Sequence, residues 1–127
     1  MTGEQLLASA QVVLAEDATD AGIARGRCAA ILARRSIEVV TAEVAGRHGL
    51  LAPARRVPDI HLLTAVVAIR LGLERKAAVR ARWAWAELSE ACHFRPNRYF
   101  PARDELTMLV TEAATWQTLL PAAGEPR

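Results

Sequence analysis

The chain has 127 residues, 52% of them hydrophobic, and a formal net charge of +2. That size and apolar content suit one compact domain with a single core. The most apolar run, Leu62 to Ile69, is bounded by His61 and Arg70 and falls short of the roughly 20 residues a membrane span needs. The N-terminus offers Thr2 and Glu4 where a signal peptide would carry positive charge. The composition therefore reads as a soluble, cytoplasmic protein without a membrane partner.

The small net charge hides an uneven distribution. Residues 1–20 sum to −4, residues 21–86 to +8 and residues 87–127 to −2. A basic middle attracts phosphates or an acidic protein surface, although charge runs are also ordinary solvated helix faces. No metal signature such as CxxC or HExxH links His48, His61 and His93 to the cysteines, and no cofactor motif is present. Cys28 and Cys92 read as small reduced core residues on apolar helix stripes.

In chain order, the spacing predicts a first helix over residues 3–16, with Thr2 and Gln5 set as a capping box and Leu6, Leu7, Ala10, Val13 and Leu14 on its buried side. A second, longest helix covers about residues 20–47. One of its faces carries Gly22, Gly26, Ala29, Ala33, Ser36, Val40 and Val44, a line of mostly small residues that lets another backbone approach. Cys28, Leu32 and Val39 flank the line and are expected to supply the bulk of the core contact. Arg25, Arg27, Arg34 and Arg35 cluster on the same helix, with Glu38 four residues after Arg34, a spacing that allows an ion pair.

Residues 46–59, GRHGLLAPARRVPD, hold two glycines and two prolines and read as a loop. Pro58 and Asp59 start a third helix that runs to Leu71. It is apolar on most sides, so it is expected to be the central, most buried element. Gly72 stops it. The fourth helix follows from about Leu73, with Ala77, Ala78, Ala81, Ala84, Trp85, Leu88, Ala91 and Cys92 on one stripe. Trp83 falls on the polar side, where it either lies under neighbouring side chains or awaits a partner surface. Pro101 opens the last helix, whose core stripe is Leu106, Leu109, Val110, Ala113, Trp116 and Leu120. Residues 1–120 thus form an all-α, single-domain up-and-down bundle of about five helices, and residues 121–127 a frayed tail.

Two stretches carry candidate chemistry. In Arg55-Arg56-Val57-Pro58-Asp59-Ile60-His61, an Arg and a His near a helix start have the groups to hold a phosphate and move a proton, the needs of metal-independent RNA cleavage. The alternative is a basic loop leading to an exposed His. In His93 to Phe100, aromatics alternate with Arg95, Asn97 and Arg98, a mixture that binds single-stranded nucleic acid through ring stacking and phosphate contact. The alternative is that Phe94, Tyr99 and Phe100 turn inward and plug the end of the bundle. Arg34 and Arg35 add to the nucleic-acid candidates. Cys92 and His93 are adjacent on a helix and so diverge by about 100°, which excludes a nucleophile–base pair.

The runs Ala30-Ile31-Leu32-Ala33-Arg34-Arg35-Ser36, Trp85-Ala86-Glu87-Leu88-Ser89-Glu90-Ala91-Cys92-His93 and Phe100-Pro101-Ala102-Arg103-Asp104-Glu105-Leu106 resemble small uncharacterised helical proteins of actinobacteria, which in turn look similar to the HEPN superfamily. The resemblance implies a bundle of four or five helices, a homodimer, and a place in toxin–antitoxin or defence systems. Active members of that superfamily are metal-independent RNases with an Arg followed, after four to six residues, by a His. Arg56 and His61 match with four between, Arg55 and His61 with five. Val57 stands where active members commonly carry a polar residue, Pro58 interrupts the segment, and the match precedes the third helix instead of lying on a later one. The expectation is an RNA-associated accessory module with catalysis unproven. A homodimerising interaction bundle using Gly22, Gly26 and Trp83 is the alternative, and a metal-independent RNase the third reading.

Overall fold

The computed structural model describes residues 1–15, 22–50, 59–93 and 100–124, the last four of these as backbone. Among the described residues there are five helices and no strand: α1 (Gly3–Ala15), α2 (Gly22–Arg47), α3 (Ile60–Leu71), α4 (Arg75–Cys92) and α5 (Arg103–Gly124). The protein is an all-α bundle. None of the described helices is long and apolar enough to cross a membrane.

The helix ends follow local chemistry. The Thr2 and Gln5 capping box forms as its spacing predicts: the Thr2 backbone N–H donates to Gln5 Oε1 at 2.9 Å, and the Gln5 N–H donates to Thr2 Oγ1 at 3.1 Å. Asp59 caps α3 by accepting from the His61 backbone N–H at 2.9 Å. Gly72 closes that helix in the left-handed region at φ 69°, and its N–H reaches the carbonyls of Ala68 and Ile69. The helical backbone of α5 continues past Leu120 through Pro121 to Gly124, farther than the sequence boundary.

The expected centre of the bundle is wrong. The helices that pack against all four others are α2 and α5, not α3. On α3, Leu62 is 64% and Ile69 81% exposed, so an apolar helix of only 12 residues lies along one side with part of its surface uncovered. The 26-residue α2 has both the length and the small side chains for the central place. A Cβ built on Gly3 of α1 would sit 3.3 Å from Val40 and 3.5 Å from the Ser36 carbonyl, so α1 rides close on α2 where its residues are small.

The small-residue line is therefore used inside the chain. Gly26, Ala29, Ala33, Ser36, Val40 and Val44 are all buried, and a Cβ on Gly26 would lie 2.7 Å from the Phe100 ring. That corrects the expectation of Gly26 at a homodimer interface. Gly22 is exposed with nothing within 4 Å of its missing Cβ. The bulk of the α2 core contact also falls on the other flank of the line. Ala30, Ile37, Thr41 and Ala45 are buried, whereas Leu32 and Val39 are half-buried and Cys28 is exposed. Cys92 is buried.

Every position of the expected α5 stripe is buried, with Trp116 the largest fully buried side chain. The Trp116 indole N–H donates to Thr41 Oγ1 at 2.9 Å, and that hydroxyl donates to the Ile37 carbonyl at 2.6 Å. The core's largest ring is thereby fixed to the central helix with its polar atom satisfied. Trp85, expected on the core stripe of α4, is only half-buried. Its surroundings lead to the candidate site.

Candidate nucleic-acid-binding face

Contacts between α2 and α4 run in opposite chain directions. Arg27 near the start of α2 donates through Nη2 to the carbonyl of Cys92 at the end of α4, at 3.1 Å, and Arg34 lies with its guanidinium carbon 5.9 Å from the centre of the Trp85 ring. The tight turn between α3 and α4 brings the first turn of α3 beside the same indole. The His61 ring meets Trp85 edge-on, with centroids 5.3 Å apart and planes at 84°. Trp85 is thus the meeting point of a cation from α2 and an imidazole from α3.

Two clefts open on this face and share Arg35 and Glu38 as a common wall. One, of about 360 Å³, is lined by Arg27, Ile31, Arg34, Cys92 and His93 together with that wall. The other, of about 310 Å³, is bounded by Asp59, Ile60, Leu63, Ala42 and Trp85. The residues of α2 that line them, from Arg27 to Ala42, follow one helix stripe about 22 Å long at 1.5 Å per residue.

The electrostatics favour an anion. The larger cleft has three guanidinium groups against one carboxylate, Glu38, which is 3.8 Å from Arg34 and 4.0 Å from Arg35. The Arg34–Glu38 pair is the one the spacing predicts. Both arginines still present solvent-facing surface, Arg35 the more. Such exposed pairs hold by only about 0.2–1 kcal/mol, so Glu38 orients the arginines without locking them away from a ligand. The indole N–H of Trp85 is buried and has no hydrogen-bond partner among the described residues. It is a buried donor without a described acceptor.

Cys92 is poorly suited to act as a nucleophile. Burial pushes its thiol pKa up, and this outweighs the lowering effect of the Arg34 and Arg27 charges and of a hydrogen bond from Arg34. The sulfur stays protonated at neutral pH, in line with the exclusion drawn from its adjacency to His93.

The structure thus joins Arg34, Arg35, His61 and His93, the first residue of the second candidate stretch, which the sequence placed in separate stretches, and adds Arg27 and Trp85, which sequence reasoning left out. The signal for Arg27 was present, since Arg27, Ile31, Arg34, Arg35 and Glu38 recur at helical spacing. Of the other expected site residues, Arg55 and Arg56 lie outside the described residues, as do Arg95, Asn97, Arg98 and Tyr99. Phe100 is half-buried against Gly26, which agrees with the inward plug for that ring. Trp83 is 44% exposed on the opposite side of α4 from Trp85 and Cys92. Among the described residues no group of three His, Cys, Asp or Glu side chains is placed to hold a metal. Set against known proteins, the chain matches no family model, no curated protein and no solved structure.

Proposed function

We propose that this chain is a HEPN-like, RNA-associated helical module that holds single-stranded RNA on the face between α2 and α4. The observation that carries the reading is the convergence of Arg27, Arg34 and Arg35 on one cleft beside Trp85. Guanidinium groups contact phosphate oxygens in pairs, and an aromatic flanked by Arg and His is the kind of platform on which unpaired bases stack. The sequence resemblance points in the same direction and suggests an accessory role in a toxin–antitoxin or defence system.

Fluorescence anisotropy of a labelled single-stranded RNA tests this. The expected result is binding at low salt that is weakened in Arg34→Ala and in Arg35→Ala while both variants remain folded. No binding at low salt ends the reading. Gel analysis of the same RNA after incubation separates a binder from a nuclease. Intact RNA keeps the accessory role, whereas shortening that disappears in His61→Ala moves the protein to the metal-independent RNases.

A second reading, a protein-interaction bundle, is favoured by one observation, the exposure of Trp83 on a face that RNA contact does not use. Its test is the assembly state of the full chain with and without Trp83→Ala.

A further inference from the structure

Between the α3–α4 turn, the first two turns of α4 and the second half of α5 lies a cavity of about 460 Å³. It is larger than either cleft on the α2–α4 face and shares no residue with them. Leu73, Ala77, Ala81 and Leu119 make its walls, and the deeply buried Trp116 makes its floor. The volume is that of a small-molecule site, about 300–1,000 Å³.

The donors inside this lining are already engaged. The Trp116 indole N–H goes to Thr41 Oγ1, and the Thr115 hydroxyl goes to the Thr111 carbonyl at 3.0 Å. In the turn, the N–H groups of Gly72 and Leu73 go to carbonyls at the end of α3, and that of Ala77 goes to the Glu74 carbonyl. The interior therefore offers apolar surface. Polar capacity remains at the rim, where Lys76 and Arg80 stand one turn apart on α4, about 6 Å along the axis.

Arg80 is positioned there by a carboxylate beneath it. Its Nη2 donates to Glu112 Oε1 at 2.6 Å, with the Glu112 side chain 14% exposed and that of Arg80 63%. A guanidinium has five N–H donors in a fixed fork, so Glu112 orients the group and is neutralised by it while other N–H donors stay available to a second acceptor. Lys76 pairs with Glu74 at 3.2 Å, both side chains about three-quarters exposed, and an ammonium carries three donors. That pair yields easily to a ligand.

We propose that this cavity binds a medium-chain carboxylate, its apolar tail against Leu73, Ala77, Leu119 and Trp116 and its head on the N–H groups of Arg80 that Glu112 leaves over, with Lys76 beside it. An ammonium head has to take Glu112 away from Arg80 and so only trades one ion pair for another. An alcohol gains the tail contacts without the charge-assisted hydrogen bonds. The site is independent of the RNA reading and makes no use of Trp83.

The experiment is isothermal titration calorimetry of the full chain with octanoate, octylammonium and octanol, which share one tail and differ in the head. Octanoate is expected to bind with a dissociation constant on the order of 0.1–1 mM, about tenfold tighter than octanol, and octylammonium no tighter than octanol. Arg80→Gln brings octanoate to the octanol level and leaves octanol unchanged. The double variant Arg80→Gln with Glu112→Gln, which leaves no unpaired buried carboxylate, serves if the single one does not fold. Thr115→Trp, at an exposed position on the cavity wall, fills the space and abolishes binding of octanoate and octanol, and circular dichroism melts confirm that each variant stays folded. Arg35→Ala, on the RNA face, leaves octanoate binding as it was. No heat from octanoate up to about 10 mM overturns the site. Equal affinity for the different heads, or a preference for octylammonium, overturns the carboxylate assignment. Octanoate binding that survives Thr115→Trp or is lost in Arg35→Ala overturns the location.

Discussion

At the scale of single residues, Thr41 shows how one hydroxyl holds the core together. It accepts from Trp116 and donates to the Ile37 carbonyl while fully buried. Thr41→Val keeps the shape and leaves the indole N–H with no acceptor, so the expected loss is about 1–3 kcal/mol of unfolding free energy, the penalty for an orphaned buried donor, read by urea denaturation at unchanged slope. The cysteines offer a second check. Cys28 is exposed and Cys92 is buried with its thiol pKa raised. A raised pKa means less thiolate at any given pH, so an alkylating reagent at neutral pH is expected to label Cys28 first and Cys92 only slowly. Mass spectrometry of a time course distinguishes them, and equal rates would contradict the burial of Cys92.

At the scale of helices, what was legible in the sequence depended on how sharply the bulky apolar residues of each helix gather on one side. For α5 the six-residue apolar stripe matched the buried set at every position, because amphipathic periodicity points to a core when one side faces solvent. For α2 the same logic failed. A line of Gly, Ala and Ser gives no direction to the bulk of the helix, so Cys28, Leu32 and Val39 were placed inward where Ala30, Ile37 and Thr41 belong. For α3, apolar residues on most sides suggested full burial, yet a hairpin with α4 on one side of the bundle leaves Leu62 and Ile69 in solvent. The glycine pattern was read correctly as close approach and incorrectly as contact with a second molecule. Gly26→Leu is therefore expected to destabilise the monomer by about 1–3 kcal/mol, since added side-chain atoms must displace the Phe100 ring, even though leucine is the better helix former. Gly22→Leu, with open space around it, serves as the control, and a chemical denaturation midpoint lower for the first and not for the second is the anticipated result.

At the scale of the whole molecule, the residue types of the candidate site were visible in the sequence but their assembly was not. Arg34, Arg35 and His61 were recognised as phosphate-binding or proton-transferring chemistry, while the partner that unites them, Trp85, looked like a core residue of its own helix. The Arg27–Cys92 contact spans 65 positions of sequence, a distance over which helical periodicity carries no information. The basic middle of the chain was legible, and the convergence of Arg27, Arg34 and Arg35 on one cleft yields a quantitative expectation. If three arginines contact phosphates, the logarithm of the RNA affinity should fall with the logarithm of salt concentration at a slope of about −2, near 0.7 per phosphate contact on a single strand. Arg35→Ala, which removes an exposed guanidinium paired only loosely with Glu38, should make that slope shallower by about 0.7. Glu38→Gln acts in the opposite direction. It deletes the one carboxylate in the larger cleft, releases Arg34 and Arg35 and removes a repulsion toward the RNA backbone, so affinity at low salt should rise. A helix face that bound RNA through stacking alone would show neither the slope change nor the gain, and anisotropy titrations at four or five salt concentrations with these two variants separate the cases.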